Sequence, residues 1–260
     1  MPAVTPASTR AAAHRSRRPP ERRTQEERRA TTRHALLDAA SACLIEHGYA
    51  ATTTTAIATR AGVSQGALFK HFPTKADVLA QTAEHLYRRL VADYLDRFDA
   101  LDREADLPTR LDGGIRLLWQ MFESAAWTAT LDLTAASRTD TELNDRMEDV
   151  VVVHAARLRA HAARLFPELA DHPDLPITLD LLFETMQGMA LSRIADPDAT
   201  HYRVLLDHLV DTATLRLLSP RRTGHPTRTT ARPTRGAADR TTRTTTRTTT
   251  RTLPAEGERP

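Results

Sequence analysis

One cysteine in the whole chain, Cys43, rules out an internal disulfide and a CxxC metal knuckle. Its neighbours Ala42, Leu44 and Ile45 make it a small apolar core residue and not a nucleophile. A reducing cytoplasm is the compartment it fits. Glycine is scarce, with 9 residues, and alternating strand-like runs are nearly absent. No apolar run approaches the ~20 residues needed to span a bilayer, so no membrane partner is expected. The opening MPAVTPASTRAAAHRSRRPP lacks the apolar segment of a secretory signal. Its Arg, Ser and Ala content faintly matches an organellar transit peptide and better matches a disordered basic arm. No phosphate loop, nucleophile elbow or close-spaced set of metal ligands occurs, so neither an enzyme nor a resident metal or cofactor is expected.

What is present is 40% hydrophobic and rich in Ala, Leu and Arg, enough for the core of an all-α fold. The charge is unevenly spread. Residues 1–33 carry nine arginines against three acids, and residues 219–260 carry ten against three. With a net charge of +3 for the chain, the body between them is ten charges negative. Such a body must concentrate any nucleic-acid contact in one place.

Helical spacing organises the body. After a disordered arm over 1–27, Leu36, Leu37, Ala40, Cys43 and Leu44 recur at threes and fours, and Gly48 supplies a stop. Thr53 can cap a short helix to about Arg60, and Ser64 a second to about His71, with Gly62 as the turn. Thr74 and Asp77 form a capping box opening a long helix over 75–101. A loop holding Pro108 precedes helices over 110–128, 129–137, 139–165, 177–195 and 199–218. From Ser219 the composition collapses to Arg, Thr and Pro, as in RTTRTTTRTTTRT, and disorder is expected over 219–260.

Two short helical patterns meeting at Gly62, with Ala58 small at the crossing and Ile57, Val63, Leu68 and Phe72 inward, are the pattern of a helix-turn-helix. The run HALLDAASACLIEHGYAATTTTAIATRAGVSQGALFKHFPTKADVL resembles the DNA-binding domain of the TetR family of transcriptional regulators. The resemblance covers about residues 28–80 and rests on Gly48-Tyr49, Thr52-Thr53, Ile57-Ala58, Ala61-Gly62-Val63-Ser64, Gly66, Leu68-Phe69, His71-Phe72 and Lys75. It implies that Thr53 meets a phosphate while Ser64, Gln65 and Ala67 open the recognition helix. Gly66 then lets the backbone approach, and Gln65 is suited to adenine. His71 and Lys75 would face phosphates. Two positions depart from the family: Phe69 stands where tyrosine is usual and loses a hydroxyl, and Ala56 stands where an acid is common, leaving Thr53 to cap alone.

The same resemblance implies a helical effector-binding and dimerisation domain over 76–218, joined to a DNA-binding domain over 28–75 by the 75–101 helix. Trp119, Phe122, Trp127, Met147, Val151, Phe183 and Met186 are the candidate pocket residues, with plain core packing as the competing account. Gly188 and the wide apolar stripes of the last two helices fit a four-helix interface between two subunits. His154 and His161 are seven apart on one helix face. A metal site with Asp149 or His172 lacks tight spacing, and surface or interface histidines are the better account. The expected function is a cytoplasmic, homodimeric repressor that binds a palindromic operator in double-stranded DNA and is released by a small-molecule effector. A helical architectural DNA-binding protein without an effector is the alternative.

Overall fold

The computed structural model describes residues 24–101, 104–196 and 198–219. The expectations for the arm up to residue 23 and for the Arg/Thr-rich tail from 220 lie outside the described residues. Within them every regular element is helical, with no strand.

A capping box starts the fold. Thr24 Oγ1 accepts from Glu27 N at 3.2 Å, and Glu27 Oε2 accepts from Thr24 N at 2.8 Å. This opens α1 (Gln25–Ala51), which buries the expected stripe of Leu36, Leu37, Ala40, Cys43 and Leu44. At Gly48 the chain takes φ +72°, kinks, and adds one turn. Next come α2 (Thr54–Arg60) and α3 (Gln65–His71), each seven residues long. Thr53 Oγ1 accepts from Ala56 N at 3.1 Å and Ser64 Oγ from Ala67 N at 3.2 Å. As the missing acid at Ala56 implies, α2 has no reciprocal capping bond. Gly62 turns the chain at φ +69°, yet a Cβ there would meet nothing within 4 Å. Its backbone angle, and not helix crowding, is what requires glycine.

Helices this short do not hold by themselves in water. Ile57, Ala58, Leu68 and Phe72 are buried in one cluster with Leu36 and Leu44 of α1 and with Val78 and Leu79 of α4 (Lys75–Asp99). The predicted Thr74–Asp77 box opens α4, both bonds at 3.1 Å.

The two helices read over 110–128 and 129–137 are both present, but the break between them falls at Glu123–Ser124 and not at 128–129. Asp106 caps α5 (Leu107–Phe122), and Pro108 lies in its first turn, where a missing N–H leaves nothing unpaired. Ser124 then starts α6 (Ala125–Ser137), its Oγ accepting from Trp127 N at 3.2 Å. Likewise Pro176 lies in the first turn of α8 (Leu175–Ala195) and not in the preceding loop. Helices α7 (Thr141–Leu165) and α9 (Ala199–Leu218) follow the expected spans closely.

One buried cluster runs from α1 to α9, and a smaller one joins Phe98, Leu111, Phe166, Leu169, Leu175 and Leu217. Helix α4 packs on α1, α5, α6 and α7, while α6 also packs directly on α1. The helix-turn-helix is therefore seated on the rest of the bundle by two routes. Among the described residues, no helix is long and apolar enough to cross a membrane.

Candidate functional site

The outward face of α3 is polar and open. Ser64, Gln65 and Gly66 are exposed, Ala67 is half-buried, and Leu68 beneath them is fully buried. A Cβ at Gly66 would find only Ser64 Oγ, at 4.0 Å, so the protein itself leaves that backbone uncrowded. Gln65 is held across the turn, its Nε2 donating to Thr54 Oγ1 at 2.9 Å. One N–H and the carbonyl oxygen stay free, the pair a bidentate contact with adenine uses. Thr54, which orients Gln65, was not singled out from sequence; only the folded turn brings the two together. Thr53 is exposed at the start of α2, and Phe69 stays 42% exposed on α3.

Lys75 and His71 sit differently. Lys75 Nζ lies 4.9 Å from the ring centroid of Tyr49, a cation–π contact that holds the ammonium in place while its donors stay available. His71 is half-buried, and its Nδ1 is enclosed without a protein partner. Burial first, then Arg29 and Arg33, holds its imidazole below the ordinary range. It is neutral near pH 7 and can donate to a phosphate without adding charge. Positive charge near it comes from those two arginines of α1, four residues apart, with Arg33 over the Phe72 ring at 5.1 Å. Both lie within the span of the resemblance but outside the residues that carry it, which begin at Gly48.

Tyr49 also reaches the second half of the chain. Its hydroxyl donates to Asp140 Oδ2 at 3.1 Å, and Asp140 Oδ1 caps α7 by accepting from Leu143 N at 3.0 Å. A second bridge joins Asp77 of α4 to Arg146 of α7 at 3.1 Å.

An apolar cavity of about 60 Å³ lies among α4, α5, α7 and α8. Val91, Tyr94, Ile115, Leu118, Leu182 and Phe183 contribute to its wall, with His161 and Thr178 as polar members. Of the seven pocket candidates, only Phe183 is brought to it. Trp119, Phe122, Trp127, Met147 and Met186 fill the core instead, at 5% exposure or less, and Val151 points outward at 41%. A second cavity, about 280 Å³, adjoins the first between α4 and α7 and shares Val91 and His161 with it. Here the histidines read as surface or interface residues turn inward. His154 stacks on Tyr87 with centroids 3.9 Å apart, and burial, reinforced by Arg157, pushes its pKa down to about 4. Among the described residues no group of three or more His, Cys, Asp or Glu side chains is placed to hold a metal.

Comparison with known proteins agrees with this geometry. The family described as "Bacterial regulatory proteins, tetR family" matches residues 36–82, the span from the α1 core stripe into α4. An HTH-type transcriptional regulator of Mycobacterium tuberculosis is 31% identical over 173 residues, 65% of this chain and 87% of the relative. An HTH-type transcriptional repressor of the same organism is 34% identical over 135 residues, 48% of this chain and 68% of the relative. In fold, a TetR-family regulator from Mesorhizobium loti aligns over 72% of this chain and 96% of its own length, with a TM-score of 0.58 at 18% identity. With the helix-turn-helix in place and a relative matched along most of its length, the chain belongs to the TetR family of bacterial transcriptional regulators.

Proposed function

We propose that this DNA-binding regulator is a homodimeric repressor, bound to a palindromic operator through α2 and α3 and released by a small molecule lodged among α4, α5, α7 and α8. The observation that carries the reading is α4 itself. Its first turn belongs to the helix-turn-helix, through Thr74, Lys75 and Asp77, and its later turns supply Val91 and Tyr94 to the cavity wall. A molecule that fits the cavity better at one setting of α4 shifts the recognition helices, because a ligand moves an equilibrium only by its differential affinity for two states. Two such helices in one dimer must match half-sites ~34–36 Å apart. The name of the 34%-identical repressor supports the sign of regulation. Domain limits follow: a DNA-binding part over 28–75 and an effector and dimerisation part over 76–218.

Fluorescence anisotropy against the duplex upstream of the chain's own coding sequence, with excess competitor DNA, tests this. Two protomers per saturable site are expected. Gln65→Ala is expected to relax preference at one base pair by ~1–3 kcal/mol, and Lys75→Ala to weaken all sequences alike, with the salt slope reduced by about 1. Binding indifferent to sequence, unchanged by Gln65→Ala, would instead favour an architectural protein without an effector.

A further inference from the structure

Lys75 is given a phosphate by that reading, and its surroundings raise a question the reading leaves open. A cation in the first turn of a helix stands at the unfavourable end of the helix dipole. A lysine stem is also flexible over its four carbons. Helix α4 alone therefore does not fix the ammonium. Its neighbour does: the Tyr49 ring centroid lies 4.9 Å from Lys75 Nζ.

Tyr49 is itself held at both ends. Its carbonyl accepts from Thr52 N at 3.2 Å. The hydroxyl of Thr52, which is buried, donates to Gly48 O at 2.7 Å. These bonds fix the backbone just past the kink at Gly48. The ring is half-buried against the core, and its hydroxyl donates to Asp140 Oδ2 at 3.1 Å. Asp140 is anchored in turn, because its other oxygen caps α7 by accepting from Leu143 N at 3.0 Å. The Leu143 N–H first, then the Tyr49 hydroxyl and the charge of Lys75, hold the Asp140 carboxyl below the ordinary range. It is an ionised acceptor at neutral pH. The Asp77–Arg146 bridge, at 3.1 Å, ties the opening of α7 to the first turn of α4 a second time.

We infer that Tyr49 is a positioning residue of the DNA contact: Asp140 fixes its ring through the hydroxyl, and the ring holds the Lys75 ammonium where a phosphate takes it up. The inference rests on the DNA reading of Lys75 above and names the residue that makes that contact effective. Ordering a long side chain on binding costs affinity, and a side chain ordered beforehand avoids the cost. A ring face suits the task because it attracts the cation and leaves its N–H donors free. A carboxylate in direct contact would occupy those donors and cancel the charge. The competing account is that Tyr49 only packs the chain after the kink.

Lys70 and Lys75 are the only lysines in the chain, so lysine-selective isotope labelling of the full-length protein gives two ε-methylene signals by nuclear magnetic resonance. In the DNA-free protein the Lys75 signal, assigned by its loss in Lys75→Met, is expected upfield of the Lys70 signal because of the Tyr49 ring current. Tyr49→Leu is expected to return it to the Lys70 position. Tyr49→Phe keeps the ring, loses the tether, and is expected to leave it between the two. In the anisotropy assay Tyr49→Leu is expected to weaken operator binding roughly two- to tenfold, with a smaller loss for Tyr49→Phe. Neither is expected to weaken Lys75→Met any further, because the two residues act through one contact. Circular dichroism checks the folding of each variant, and Tyr49→Phe carries the same cycle if Tyr49→Leu does not fold. Equal losses in wild type and in Lys75→Met would show a purely structural role and overturn the inference, as would a Lys75 signal unmoved by Tyr49→Leu. Tyr49→Phe identical to wild type in both readouts would overturn the tether to Asp140. Lys75→Met without effect on operator binding is a distinct failure, of the phosphate reading on which the inference rests, and overturns both.

Discussion

His154 is where a single side chain makes the fold sensitive to acid. Its imidazole is sandwiched against Tyr87 and near Trp127, at centroid distances of 3.9 and 6.4 Å. Burial, then Arg157, lowers its pKa from 6.5 to about 4. The unfolded chain therefore binds a proton that the folded chain refuses between those two values. Stability contributed by the neutral imidazole is complete above pH 6.5 and is lost as pH falls toward 4. The full shift, reduced for the solvent contact the ring keeps, corresponds to ~1–3 kcal/mol. His85, His71 and His161 are shifted the same way by burial, so the wild-type curve alone does not isolate one residue. The difference between wild type and His154→Phe does. Urea denaturation at pH 7.5 and pH 5 is expected to show a smaller loss of stability for the variant. Equal losses in both proteins would mean that His154 titrates normally.

At the scale of the helix, what was legible in the sequence was local chemistry. Thr53, Ser64, Thr74 and Gly48 announce their helix ends because a cap needs particular residue types at particular offsets. The structure places bonds or a kink at all four. The break at Glu123–Ser124 was placed late, at 128–129, because Trp119, Phe122 and Trp127 continue the apolar spacing across it, and periodicity does not register a serine cap inside an apolar run. Ser124 does double work there: Oγ accepts from Trp127 N at 3.2 Å and donates to Met121 O at 2.7 Å. Ser124→Ala is expected to cost ~1–2 kcal/mol by loss of the cap and its companion bond, and Ser124→Thr to restore most of it. Alanine no worse than threonine in urea denaturation would show that packing of Trp127 alone starts α6. The cavity was illegible for a different reason. Size singled out Trp119, Phe122, Trp127, Met147 and Met186, and side chains that large fill space in the core. The cavity forms where medium-sized residues of four helices fail to meet, a property of the packing and not of any one segment.

For the whole molecule, the question is what covers the outer face of α8 and α9. Ile177, Leu181 and Leu191 fall along one stripe of α8 at 62%, 49% and 60% exposure, with Ile194 beside them at 64%. Gly188 lies within the stripe, and a Cβ there would meet nothing within 4 Å. On α9, which packs against α8, Val204 and Leu215 are exposed at 49% and 67%, eleven residues and about three turns apart. Exposed apolar side chains gathered on two packed helices fit an association surface, with Glu184 of α8 and His208 and Asp211 of α9 exposed among them. In the homodimer proposed above, a two-fold axis through this face would make it self-complementary, and the same axis would match two operator half-sites. Dimerisation and DNA affinity would then be one equilibrium. Leu191→Glu with Ile194→Glu would set like charges from both subunits against each other inside that surface, which costs several kcal/mol. Sedimentation equilibrium is expected to show self-association weakened by roughly a hundredfold or more. Circular dichroism should be unchanged, because both side chains are already solvent-exposed within one protomer. Operator binding should fall with the dimer and recover when protein concentration is raised past the new dissociation constant. A variant that stays dimeric at the wild-type constant would place the interface elsewhere. One that becomes monomeric and still binds a full operator with wild-type affinity would break the link between dimer and DNA.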